Sequence, residues 1–171
     1  MKMRNSEVLP MKIACLGGGP AGLYFAISMK LRDPSHDVAV IERNRADDTF
    51  GWGVVLSDET LANLHANDPE SADSIKEYFA YWDDIALVHQ GQRLVSSGHG
   101  FCGIGRKRLL LLLQARAAEL GVTLQFETDI EDIDALCAAH DLVVAADGVN
   151  SRVRAHFDAA FKPEIDRRAC K

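Results

Sequence analysis

The sequence has no closely spaced pair of cysteines, no long apolar run and no excess of basic charge. Its four cysteines (positions 15, 102, 137 and 170) include no Cys-x-x-Cys pair, so we expect neither a disulfide framework nor a metal site, and a cytoplasmic location fits best. No apolar run reaches the roughly 18 residues of a membrane span, and the start of the chain lacks the pattern of a secretion signal. The net charge of −6 argues against non-specific binding to nucleic acid, which requires a basic face.

The composition is that of one ordinary globular domain. The chain has 171 residues, of which 47% are hydrophobic and 26% are charged, enough for one domain with a substantial core. No internal repeat or low-complexity linker divides it. We expect residues 1–10 to form a flexible leader and residues 11–171 to form a single domain.

A glycine-rich stretch near the start of this domain organises the rest. The apolar run Ile13–Leu16 is followed by Gly17, Gly19 and Gly22 in the spacing G-x-G-x-x-G, and a helical pattern continues over residues 23–32. This order of strand, glycine turn and helix binds the pyrophosphate of a dinucleotide: the first glycine allows a tight turn, the second close approach of the phosphates, and the third close packing of helix and strand.

The next apolar run strengthens this interpretation. Residues 37–41 form a second strand pattern that ends at Glu42, 20 positions after Gly22. An acidic residue at this distance accepts a hydrogen bond from the adenosine ribose of a bound dinucleotide. The alternative is a chance glycine turn followed by a surface glutamate.

The later segments predict alternating strands and helices, which is typical of a parallel α/β sheet. One inserted β-hairpin, at residues 82–97, and a glycine-rich crossing segment, at residues 97–105, interrupt this alternation. Further helices are predicted at 58–68, 69–79, 106–121 and 131–140, and further strands at 122–127 and 141–148. The fold class is therefore predicted to be α/β, with a Rossmann-like dinucleotide-binding domain. The tail beyond Phe157 is polar and basic, and no helix or strand is predicted there to close the domain.

Two further features suggest ligand contacts. Arg106 opens a helix, where a cation is mildly unfavourable unless an anion is bound, although it could also be an exposed surface residue. Asp147 and Gly148 end a buried strand, at the edge where open α/β sheets bind ligands. Asp147 could instead only cap the turn that follows.

The motifs together resemble a known family. GGGPAG, then ER, GRKRLL and AADGVNSRVR resemble the first part of flavin-dependent aromatic hydroxylases of the para-hydroxybenzoate hydroxylase type. The segments DDTFGWGVV, YWDDI and SSGHGFCGIGRKRLL resemble the flavin part of bacterial aryl-coenzyme A hydroxylases, which act on 2-aminobenzoyl-CoA or salicylyl-CoA. GWGVV is also similar to flavin hydroxylases of violacein biosynthesis.

The resemblance assigns roles to particular residues. The glycine turn would hold the FAD pyrophosphate, Glu42 the ribose, and Arg106 the phosphates or ribityl chain, while the loop around Trp52 would lie near the flavin ring. The residues that it implies in FAD binding are Gly17, Gly19, Pro20, Ala21, Gly22, Glu42, Arg43, Gly53, Arg106, Asp147 and Gly148.

The activity implied by the resemblance is hydroxylation of an aromatic substrate by an NAD(P)H-dependent FAD monooxygenase through a flavin hydroperoxide. The implied partners are NAD(P)H, O2 and an aromatic compound, most readily a CoA thioester; a homodimer is left open, and no residue is assigned as a catalytic acid or base. The family's second FAD motif and substrate-covering sheet are absent before Lys171, which predicts an N-terminal fragment. The alternatives are another FAD oxidoreductase, of the violacein hydroxylase or geranylgeranyl reductase type, and a non-catalytic nucleotide-binding fragment.

Overall fold

The computed structural model describes residues 9–166. Most of the predicted leader, residues 1–8, and Cys170 lie outside them. The strands are β1 (Lys12–Leu16), β2 (Asp37–Ile41), β3 (Gly53–Leu56), β4 (Ala80–Trp82), β5 (Ile85–His89), β6 (Gln92–Ser96), β7 (Phe101–Gly105), β8 (Thr123–Gln125) and β9 (Leu142–Ala145). The helices are α1 (Pro20–Arg32), α2 (Asp58–Asn67), α3 (Pro69–Lys76), α4 (Arg106–Glu119), α5 (Ile133–Ala139), α6 (Arg152–His156) and α7 (Asp158–Phe161).

A four-stranded parallel sheet forms the centre of the molecule, in the order β8-β2-β1-β9. Successive side chains of β1 point to opposite faces, so Ile13 and Cys15 enter one buried cluster and Ala14 and Leu16 the other. Both faces are covered, which explains why these strands read as continuous apolar runs. The predicted α/β fold with a parallel sheet is confirmed.

Helices cover this sheet on both sides. On one face α1 and α4 pack together and against the sheet through residues such as Leu23, Ile27 and Leu113. On the other face α5 and α6 contribute Leu136 and Val153. This arrangement leaves the carboxyl ends of β1, β2 and β9 together at one edge, which is where ligands bind in open α/β sheets.

A second, antiparallel sheet in the order β3-β7-β4 was not predicted. The interpretation of residues 97–105 as a glycine-rich crossing segment was wrong over its second half, which is strand β7. Cys102 and Ile104 are buried there, and the glycine between them makes room for a ring: a Cβ at Gly103 would lie 3.1 Å from the indole of Trp82.

The predicted hairpin is confirmed as β5 and β6, joined at Gln90 and Gly91, both with positive φ. Every residue of these two strands is exposed. The predicted strands at 122–127 and 141–148 are both shorter in the structure, as β8 and β9. Glu127, beyond the end of β8, has a φ of +52°, which a strand residue does not adopt. The tail, expected to lack a closing element, begins with helix α7, where the rings of Phe157 and Phe161 meet edge to face. Among residues 9–166 no helix is long and apolar enough to cross a membrane.

Candidate functional site

The glycine turn between β1 and α1 is fixed by close backbone contacts. Gly17 has a φ of +106°, and a Cβ there would lie 2.3 Å from the carbonyl oxygen of Ala146, just after β9. A Cβ at Gly22 would lie 2.1 Å from the carbonyl oxygen of Gly17. The first glycine thus allows the tight turn and the third allows the helix to pack against it.

Gly19 differs from these two glycines because it faces open space. It is the N-cap residue of α1, and a Cβ built there would meet no atom within 4 Å. No side chain caps this end of the helix, and Pro20 is its first residue. The helix N-terminus therefore presents backbone N–H groups and positive potential towards an unobstructed space, as a phosphate requires.

Glu42 follows β2 and is held in place by its neighbours. Its Oε2 accepts a hydrogen bond from the Gly18 N–H (2.7 Å), and its Oε1 accepts from the backbone N–H (2.8 Å) and side-chain amide (2.7 Å) of Asn44. A carboxylate offers about four acceptor positions. Glu42 is therefore oriented by three donors and still has acceptor capacity for a ribose hydroxyl.

Asp147 has a structural role at the start of α6. Its Oδ2 accepts hydrogen bonds from the N–H groups of Arg152 (2.7 Å) and Val153 (3.4 Å) at the start of α6, so the capping alternative holds for that atom. Its Oδ1 accepts none from the described residues. Gly148 has a φ of +82°, and a Cβ there would meet no atom within 4 Å, so space is left beside the carboxylate.

Arg106 follows directly after strand β7. As the first residue of α4 it donates its backbone N–H to the carbonyl of Trp52 (3.1 Å). Its Nε is buried without a hydrogen-bond partner among the described residues, and the same is true of the Thr49 hydroxyl. Unpaired buried polar atoms are costly, so these two atoms fit a site in which a ligand supplies their hydrogen-bond partners.

These features converge on one cavity of about 530 Å³, within the range of small-molecule and cofactor sites. Seven of the site residues predicted from the sequence line it, namely Gly17, Gly19, Glu42, Arg43, Arg106, Asp147 and Gly148. Pro20, Ala21, Gly22 and Gly53 do not line it. Gly53 instead pairs with Gly105, and a Cβ there would lie 2.9 Å from the Ile104 carbonyl oxygen. Trp52, expected near the flavin ring, is 99% exposed and lies outside the lining.

Sequence reasoning missed Gly18, Asn44 and Thr49. The run of three glycines at 17–19 could have indicated Gly18. The structure shows why a glycine is needed there, since a Cβ would lie 2.9 Å from Cβ of Glu42. The polar side chains of the loop after β2 carried no such pattern. Ionic contacts at the cavity rim, such as Arg152 to Asp129 (2.7 Å), are exposed and contribute little. Within residues 9–166 no group of three or more acidic, cysteine or histidine side chains could hold a metal ion.

The residues fit an FAD molecule in its dinucleotide portion. The open space at Gly19 accommodates a pyrophosphate, and the oriented carboxylate of Glu42 can accept from a ribose hydroxyl. The Nε of Arg106, which has no partner among the described residues, can donate to a further oxygen. All three belong to one cavity at the carboxyl edge of the parallel sheet, which is the expected place for such a ligand.

The chain is similar in sequence to three monooxygenases. It is 44% identical over 161 residues to salicyloyl-CoA 5-hydroxylase of Streptomyces sp., covering 94% of this chain and 31% of that protein. It is 35% identical to protodeoxyviolaceinate monooxygenase of Chromobacterium violaceum (91% and 42% covered) and 33% identical to 3-hydroxy-4-methyl-anthranilyl-[aryl-carrier protein] 5-monooxygenase of Streptosporangium sibiricum (88% and 42% covered). The chain thus spans 31% to 42% of the length of these relatives.

Solved structures give the same fold. A variant of PqsL of P. aeruginosa superposes with a TM-score of 0.70 at 18% identity, covering 95% of this chain and 48% of that one. A variant of 2-methyl-3-hydroxypyridine-5-carboxylic acid oxygenase superposes at 0.62 and 22% identity, covering 71% and 32%. No protein-family model matches the chain. The resemblance inferred from the motifs is confirmed: the chain is similar to these monooxygenases over part of their length, and it has the Rossmann-like fold of the solved flavin hydroxylases.

Proposed function

We propose that residues 11–171 are the FAD-binding part of an NAD(P)H-dependent monooxygenase that hydroxylates an aromatic thioester, with salicylyl-CoA or 2-aminobenzoyl-CoA as the substrate. The observation that carries the proposal is the convergence of the open Gly19 turn, Glu42 and Arg106 on one cavity. The 44% identity to a salicyloyl-CoA 5-hydroxylase supports the same activity. A homodimer remains a prediction.

The overall reaction consumes NAD(P)H, a proton and O2, and yields NAD(P)+, water and a hydroxylated ring. The flavin supplies the redox and oxygen chemistry when bound, by the hydroperoxide route that the resemblance implies. The residues of this chain bind and orient its dinucleotide portion: α1 presents N–H groups to the pyrophosphate, and Glu42 accepts from the ribose. Asp147 Oδ1 accepts no hydrogen bond from residues 9–166, and Asp147 lines the same cavity, which makes it a second acceptor for cofactor hydroxyls.

The thioester is favoured by the chemistry of two relatives. One acts on an aryl-CoA and another on an anthranilyl group carried by an aryl-carrier protein. The runner-up is a hydroxylase of the violacein type, which the protodeoxyviolaceinate monooxygenase relative supports. Comparing NAD(P)H oxidation by the FAD-loaded protein with salicylyl-CoA, free salicylate and protodeoxyviolaceinate separates these possibilities.

The cofactor proposal is tested by loading the chain with FAD. We expect a yellow protein with absorption bands near roughly 375 and 450 nm, which belong to the flavin itself. Glu42→Ala should weaken FAD binding by about 1.5–3 kcal/mol, the value of a hydrogen bond to a charged group. Glu131→Ala is the control, because Glu131 is exposed and outside the cavity lining. Wild-type protein that takes up no FAD would overturn the proposal.

A further inference from the structure

Within the described part of the chain, two buried side-chain polar atoms have no hydrogen-bond partner, Thr49 Oγ1 and Arg106 Nε. They belong to different elements, the loop after β2 and the first turn of α4. Both residues line the same cavity as the glycine turn. Leaving such a group unpaired costs about 1–3 kcal/mol, so two of them in one cavity indicate that a ligand satisfies both.

The loop that carries Thr49 is held against Arg106. Arg106 donates its backbone N–H to the Trp52 carbonyl, and a Cβ at Gly51 would lie 3.7 Å from the Cδ of Arg106. Gln114, two turns along α4, donates to the Ala46 carbonyl (2.9 Å) at the other end of the loop. Both ends of this segment are thus fixed to α4, and Thr49 is positioned with the arginine.

The chemistry of the two atoms defines what they can bind. A guanidinium Nε–H is only a donor, whereas a threonine hydroxyl donates or accepts. A ligand with neighbouring acceptor oxygens satisfies both. We propose that Thr49 Oγ1 and Arg106 Nε form a paired anchor for the oxygens of the ribityl–phosphate chain of the cofactor, with Thr49 as a positioning residue that neither its sequence context nor the family resemblance assigned. This inference rests on the proposed FAD site.

The test compares Thr49→Val with Thr49→Ser in the 171-residue chain. Valine removes the hydroxyl at nearly constant shape, and serine retains it. We expect Thr49→Val to raise the dissociation constant for FAD about fivefold, which corresponds to one neutral hydrogen bond, and Thr49→Ser to stay near wild type. Arg106→Lys, which keeps the charge but lacks Nε, should raise it at least tenfold. FAD binding is measured by quenching of flavin fluorescence.

The stability of the FAD-free protein distinguishes a binding role from a structural one. Because the hydroxyl is unpaired without ligand, Thr49→Val should leave the melting temperature of the FAD-free protein unchanged or raise it. A hydroxyl that bonds only to a structural water would give the reverse pattern, a lower melting temperature with unchanged FAD affinity, and would overturn the inference. Thr123→Val is the matched control, because Thr123 lies exposed in β8 outside the cavity.

Titrations with ADP and FMN identify which oxygens are contacted. A Thr49→Val defect that appears with ADP assigns the phosphates, and one confined to FMN and FAD assigns the ribityl hydroxyls; either supports the anchor. Wild-type affinity of Thr49→Val for FAD overturns it while the FAD site stands. Absence of FAD binding by wild-type protein overturns both proposals.

Discussion

A single methyl group distinguishes the roles of Gly17 and Gly19. At Gly17 the methyl group would collide with the Ala146 carbonyl, and the alanine would have to adopt the positive φ of this position. Gly17→Ala should therefore lower the free energy of unfolding by about 2–4 kcal/mol. At Gly19 the methyl group meets no protein atom within 4 Å, so Gly19→Ala should cost less than about 1 kcal/mol. It should nonetheless weaken FAD binding, because the methyl group occupies the space a phosphate would enter.

Urea unfolding and FAD titration of the two variants check this pair. Equal losses of stability would show that the open space at Gly19 is filled in solution. Unchanged FAD affinity of Gly19→Ala would show that the phosphates bind elsewhere.

At the scale of elements, Asp68 joins α3 to α4. It is 2% exposed and forms two hydrogen bonds with Arg116. Its Oδ2 accepts from Nε at 3.1 Å, and its Oδ1 accepts from Nη2 at 3.2 Å. Ser71 also donates to it. Burial raises the pKa of Asp68, but the hydrogen bonds from Arg116 and Ser71 outweigh burial and the pKa is lowered overall. The contribution to stability is therefore present above the pKa of an unfolded aspartate and is lost as the pH falls towards the lower folded value.

Asp68→Asn should lower the free energy of unfolding at neutral pH by about 1.5–3 kcal/mol, because Arg116 loses its buried partner and keeps only the exposed carboxylates of Glu70 and Glu119. It should also flatten the loss of stability below about pH 5. Urea unfolding between pH 2 and 7 measures both effects. Asp73→Asn is the control, since Asp73 is exposed and lies 3.7 Å from Lys76. Parallel curves for wild type and Asp68→Asn in acid would contradict the prediction.

The β5–β6 hairpin forms a separate two-stranded sheet with no buried residue in either strand. Its residues are all exposed, including Leu87, Val88 and Leu94 at 61–68%, and an isolated two-stranded hairpin is marginally stable. We expect its amide hydrogens to exchange with solvent much faster than those of β1, which is paired on both sides. Hydrogen exchange followed by mass spectrometry checks this, with peptides of β1 as the internal reference. Comparable protection of the two segments would mean that another surface covers the hairpin in solution.

For the whole molecule, the parts predicted from sequence were those set by local backbone geometry. Gly17, Glu42 and the strands around them follow from a spacing that any dinucleotide turn must respect. Strand β7 was missed because its glycines, read as loop residues, make room for the ring of Trp82, a contact distant in sequence. Thr49 was missed for the same reason, since an unpaired hydroxyl is recognised only when its surroundings are known.

The pairing of β1 affects the order in which the protein folds during its synthesis. Its neighbours are β2, close in sequence, and β9, which lies so far along that the Lys12 N–H bonds to Asp141 across 129 positions. Contacts so distant in sequence form slowly, and chains are made at only a few to tens of residues per second. A ribosome has therefore synthesised every glycine of the turn long before the Ala146 carbonyl that shapes it emerges. If FAD binds at the proposed site, we expect it to bind late in biosynthesis, because a nascent chain that ends before β9 has the full glycine motif but lacks the Ala146 carbonyl and Asp147.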